Sequence, residues 1–90
     1  MPRAPLLRFR TAIERGASVA QGFEAIAVGS DRWASGARRV VHRVRAGAAL
    51  QDAVDAWANE ERDPSVRLLA DALAISAATG GSHLRAVDAV

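Results

Sequence analysis

The residues best suited to chemistry lie near the end of the chain, where Ser82 and His83 follow the glycine pair Gly80-Gly81. A serine nucleophile on a strand-to-helix elbow needs Gly-x-Ser-x-Gly, and here Leu84 stands where the closing glycine belongs. Adjacency does not make a catalytic dyad either, because triad partners meet through the fold. The pair therefore reads as a glycine helix stop followed by a helix start. A glycine-rich helix N-terminus can hold an anion, but such turns also close many ordinary helices. His42 and His83 are the only imidazoles and fall in different segments. Asn59-Glu60-Glu61-Arg62-Asp63 gathers oxygen ligands without the spacing of a calcium loop, and reads as a solvated helix end plus cap. No catalytic residue, cofactor or metal is expected.

Composition closes further routes. The 90-residue chain has no cysteine, hence no disulfide, thiolate metal site or cysteine nucleophile. It has no lysine, hence no Walker A loop and no Schiff-base chemistry. Half the residues are hydrophobic and 24% are charged, a globular balance. The sequence pI near 11 overstates the basic character. All 12 basic residues are arginine, and nothing titrates between pH ~8 and ~12, so a net charge of +2 suffices to push the pI that high.

Charge is distributed unevenly. Residues 30–46 carry +4 and residues 47–63 carry −4. The basic segment holds the strongest interaction candidates, Arg38, Arg39, Arg43 and Arg45. Arg39 and Arg43 share one face at i, i+4, with Arg32 further back, while Arg38 and Arg45 align at i, i+7. Both sets lie off the apolar stripe of the same segment. Two roles compete: a solubilising face paired with Asp52, Asp55 or Glu60 of the next segment, or a surface that docks an acidic partner or anionic lipid. Nucleic acid is not expected, because no aromatic residues are interleaved with the arginines.

These side chains must be positioned by helices. Val19, Phe23, Ile26 and Ala27 fall on one helical face, as do Leu50, Val54, Trp57 and Ala58. Trp33, Ala37, Val40, Val41 and Val44 form a third stripe, and Val66, Leu69, Ala70, Leu73 and Ala77 a fourth. Trp33, Trp57, Phe23, Leu69 and Leu73 are the expected core anchors. Gly16, Gly29, Gly47 and Gly80-Gly81 each follow such a segment, where a left-handed residue would end a helix. Ser18, Ser30 and Asp63 before Pro64 are the expected N-caps. The spacing predicts helices over 4–15, 18–28, 30–46, 49–61, 64–79 and from 82 onward. The fold class is all-α, an antiparallel bundle of five to six short helices built from hairpins. No run is long and apolar enough to span a membrane, and no signal peptide is expected.

The hairpins repeat. Gly16-Ala-Ser-Val-Ala-Gln-Gly-Phe-Glu-Ala aligns with Gly47-Ala-Ala-Leu-Gln-Asp-Ala-Val-Asp-Ala 31 residues later, and Gly81-Ser-His-Leu-Arg-Ala-Val-Asp-Ala follows after another 34. The third copy stops at Val90 with its apolar face unfinished, so residues 1–90 are expected to be one domain whose last helix is truncated. An unfinished helix would leave an apolar groove for a partner or a second copy.

In the segment 16–27, the basic helix ending Arg43-Val-Arg-Ala-Gly47, Leu50-Gln-Asp-Ala-Val-Asp-Ala-Trp-Ala, Asp63-Pro-Ser-Val-Arg-Leu-Leu, Ala70-Asp-Ala-Leu-Ala-Ile and Thr79-Gly-Gly-Ser-His-Leu, the sequence resembles the F domain of type II secretion and type IV pilus inner-membrane platform proteins. Its nearest branch is the Tad (Flp) pilus assembly proteins of bacteria. The resemblance covers roughly residues 8–90; Ala49 and His83 depart from the usual pattern at capping positions. It implies a non-enzymatic helical domain at the cytoplasmic face of the inner membrane, anchored by transmembrane helices that this chain lacks. The implied partners are a secretion or pilus ATPase and other platform subunits. The alternative is a soluble tetratricopeptide-like adaptor, since Gly47, Ala53-Val54 and Pro64 match that motif's spacing. Against it, Trp33 stands where the first copy needs proline, tyrosine is absent, and the offset shifts from 31 to 34.

Overall fold

The computed structural model describes residues 3–79, 87, 88 and 90, and within them the chain forms five helices and no strand. They are α1 (Arg3–Glu14), α2 (Val19–Ala27), α3 (Arg32–Arg45), α4 (Leu50–Glu61) and α5 (Pro64–Thr79). Each packs against its neighbour in sequence, as links of only a few residues require. The fold is an all-α helical bundle, with principal extents of 26 × 25 × 24 Å. No described helix is long and apolar enough to cross a membrane.

The two glycine hairpins are built alike. At the end of α1, Gly16 takes φ +88°, its N–H donates to Ile13 O and the Ala17 N–H donates to Ala12 O. At the end of α3, Gly47 takes φ +109°, its N–H donates to Val44 O and the Ala48 N–H donates to Arg43 O. Both are Schellman closures, in which a left-handed residue lets two amides satisfy orphan carbonyls of the last turn. The repeat seen in sequence is thus a repeat of local structure, from each turn into the helix after it. The first copy adds a capping box: Ser18 Oγ accepts from Gln21 N, and Gln21 Oε1 accepts from Ser18 N. The second opens on Ala49, which offers no side-chain cap.

Sequence expectation and structure part at three places. The N-cap of α3 is Asp31, not Ser30: Asp31 Oδ1 accepts the Ala34 N–H at 2.9 Å. Gly29 does not adopt the left-handed conformation, and α2 closes through Val28 in right-handed geometry. No glycine motif is needed there, because two guanidinium groups serve the exposed carbonyls. Arg8 donates to Ala25 O and Ile26 O at 3.1 and 2.9 Å, and Arg38 donates to Ala27 O and Gly29 O at 2.8 and 3.2 Å. A side chain on Gly29 would collide with the Arg8 guanidinium. Lastly, Ala77 is exposed and Ser76 takes the inward position near the end of α5. Gly80, Gly81, Ser82, His83 and the start of the expected sixth helix lie outside the described residues, while Val87 and Asp88 are helical.

All five expected anchors are buried: Phe23, Trp57 and Leu69 fully, Trp33 and Leu73 nearly so. Phe9 and Val87 join the same core. The four aromatic side chains of the chain form one line of edge-to-face contacts. Phe9 meets Phe23 at 5.3 Å between centroids, Phe23 meets Trp57 at 6.2 Å, and Trp57 meets Trp33 at 5.1 Å. Each such pair adds ~0.5–1.5 kcal/mol beyond its buried area, so a chain with only 4% aromatics concentrates them where four helices meet.

Candidate interaction surface

The surface is built on α3, whose Asp31 cap starts the helix and whose apolar stripe fixes its rotation. With Trp33, Ala37 and Val40 turned into the core, the arginines emerge along the two flanks. On one flank, Arg39 and Arg43 reach the last turn of α4. Arg43 Nη2 donates to Glu60 Oε2 at 2.6 Å, and Arg39 approaches Glu60 at 3.5 Å and Glu61 at 3.3 Å. Arg32 reaches Glu61 from further back at 3.7 Å. On the other flank, Arg45 pairs with Glu24 of α2 at 3.0 Å, and Arg38 holds the carbonyls at the end of α2.

The four arginines singled out in sequence are therefore two pairs facing opposite neighbours. The division follows the i, i+4 and i, i+7 grouping legible in the sequence. Of the three carboxylates expected to answer them, only Glu60 does so. Asp55 pairs with Arg67 instead, and Asp52 makes no ion pair among the described residues. Glu61 and Glu24 are the partners that sequence reasoning missed.

Electrostatics explain why α4 needs this flank. Glu60 and Glu61 sit at the C-terminal end of the helix, where the macrodipole disfavours anions, and α4 has no basic residue in its last turn. Arginines from α3 supply the missing compensation. The Arg43 hydrogen bond, helped by the charges of Arg43 and Arg39, outweighs desolvation and holds the Glu60 carboxyl below its ordinary value. At Asp31, desolvation would raise the carboxyl, but hydrogen bonds from Arg8 and the Ala34 amide and the Arg8 charge together keep it lowered. Arg8 is a third residue missed in sequence. Its guanidinium, 2.9 Å from Asp31, joins α1, the end of α2 and the start of α3.

The remaining candidates are spent on structure. Asn59 accepts from Arg67, while Asp63 accepts from the Ser65 amide and from the Trp33 indole at 3.3 Å. Among the described residues no three His, Asp or Glu side chains converge as a metal site would require. His42 is exposed on the α2 side of α3. There the surface is concave: Glu24, Val41 and Arg45 border both a small cavity of about 40 Å³ and a wider trough of about 430 Å³. No protein-family model, curated protein or solved structure matches this chain.

Proposed function

We propose that this chain is a non-enzymatic helical domain of a secretion or Tad-type pilus platform protein, which couples a separate ATPase to assembly at the inner membrane. The supporting observation is the ordered motif series, in which a basic helix runs into Gly47-x-x-Leu50-x-x-Ala53 and an earlier copy runs from Gly16 to Phe23. In the fold, both copies open on the same hydrogen-bonded glycine turn. The domain carries no lysine for a phosphate loop, so the ATPase is a partner. Docking uses the basic helix α3, with other platform subunits and a second copy as further neighbours, at the cytoplasmic face of the membrane.

Calorimetric titration of the chain with the secretion ATPase of the same genome, over a salt series, tests this. Binding that weakens as salt rises is expected. Absence of binding at low salt, by a chain whose circular dichroism is helical, overturns it.

A further inference from the structure

We infer that the groove between α2 and α3 seats an acidic amphipathic helix, with an aliphatic side chain in its floor and one carboxylate on each of Arg38 and Arg45. The inference rests on the docking reading above for the identity of the partner protein, and on the groove alone for its chemistry. The floor is apolar: Phe23, Val40, Val41, Val44 and Leu50 line the cavity of about 40 Å³, enough for the tip of one aliphatic side chain. The trough bordered by Ala27, Arg38, His42 and Arg45 adjoins it, with Glu24, Val41 and Arg45 lining both.

The rim carries an excess of positive charge. Arg38 spends its Nη1 on two backbone carbonyls and has no carboxylate among the described residues. Arg45 has one, Glu24, but in a pair whose side chains are 74% and 47% exposed. Such a pair contributes little and exchanges readily for another carboxylate. Arg38 and Arg45 lie seven residues apart, about 10.5 Å or two turns along α3, with Val41 between them. A partner helix with carboxylates at i and i+7 and an aliphatic residue at i+3 or i+4 has the complementary spacing. The Arg39 and Arg43 flank offers no such site, because Glu60 and Glu61 already occupy it. Phe23 and Val40 are fully buried while Arg38 and Arg45 are exposed, an arrangement that suits an inserted side chain rather than a flat anionic surface.

The probe is a synthetic helical peptide with Glu, Leu and Glu at i, i+4 and i+7 on an alanine–glutamine background, followed by fluorescence anisotropy. Saturable binding is expected, weakened about tenfold or more by Arg38→Glu with Arg45→Glu. Because Arg38 also caps α2, that double variant can lose stability. Glu24→Gln supplies the independent arm: it removes the competing carboxylate and should tighten binding roughly threefold or more. The proposal is overturned if Glu24→Gln leaves affinity unchanged, or if a peptide with Gln for both Glu binds as well. It is also overturned if these variants alter only self-association or binding to phosphatidylserine vesicles. ATPase binding that ignores both variants removes the groove and leaves the platform reading standing. Peptide binding that obeys them, with no ATPase binding, supports the groove and removes the platform reading.

Discussion

The indole of Trp57 occupies the space that a side chain at position 36 would need. A methyl group on Gly36 would fall well inside contact distance of Trp57 Nε1, Cε2 and Cδ1, and the ring is fully buried. Alanine is favoured over glycine in a helix by ~1 kcal/mol, yet overpacking a buried ring costs ~1–3 kcal/mol. Gly36→Ala should therefore destabilise in urea unfolding, and Trp57→Ala should cost ~3–5 kcal/mol. In the Trp57→Ala background, Gly36→Ala should become neutral or stabilising, since the collision needs both groups. Additive effects would show that the close approach is not what selects glycine.

Positions 47 and 62 should respond in opposite directions. Gly47 at φ +109° has nothing near its absent side chain, so Gly47→Ala suffers from backbone conformation alone, by ~1–2 kcal/mol. Arg62 holds the left-handed cap of α4 at φ 54° and ψ 27° with a side chain that disfavours it. Arg62→Gly should raise the unfolding midpoint, the gain being ~0.5–1 kcal/mol. A lower midpoint would mean that the Arg62 side chain contributes more than its backbone strain costs.

Acid should weaken two links between helices, Arg8–Asp31 and Arg43–Glu60. The folded Asp31 and Glu60 carboxyls both lie below their unfolded values, for the causes given above. Their contribution is complete above the unfolded carboxylate range near pH ~4 and is lost as pH falls through the folded values. Asp31→Asn keeps a capping oxygen but removes the charge facing Arg8. Melting temperatures from neutral pH down to about pH 3 should fall less steeply for this variant than for the parent. Parallel acid limbs would assign the loss to other carboxylates.

Reversing Arg39 and Arg43 together should act on stability rather than on docking. Both would then face Glu60 and Glu61 at the unfavourable end of α4. These pairs are partly exposed, so screening limits the loss to about 1–2 kcal/mol, shrinking as salt is added. Peptide affinity at the α2–α3 groove should stay within a factor of about two. A large loss of affinity with an unmoved melting temperature would return these arginines to the docking surface.

Local features of this fold were legible where one residue type answers one local need. The expected bounds of the first five helices fall within one or two residues of those observed, and Gly16 and Gly47 marked both Schellman turns. Ser30 and Asp31 are adjacent capping residues, and which one caps α3 was settled by Arg8, from 23 positions away in sequence, which draws Asp31 into place. Gly29 looked like the other glycine stops, but its missing side chain makes room for that same guanidinium. The flanks of α3 could be grouped from sequence, whereas their partners depend on how the helices cross. That is why Glu24 and Glu61 were missed and Asp52 was wrongly enlisted. Ala77 lost its inward position to Ser76 because the two stand at i+4 and i+3 from Leu73, on opposite sides of the stripe, and the 3.6-residue period does not say which side faces the core.

The line of four rings also gives the molecule its own optical gauge. With no tyrosine in the chain, near-ultraviolet absorption beyond the phenylalanine region comes from two indoles 5.1 Å apart at 83°. One indole belongs to α3 and the other to α4, so their coupled circular dichroism measures whether those helices are seated on each other. Helix content is read separately in the far ultraviolet. A ligand that pries α3 from α4 would erase the first signal and spare the second, whereas one held between α2 and α3 would leave both in place.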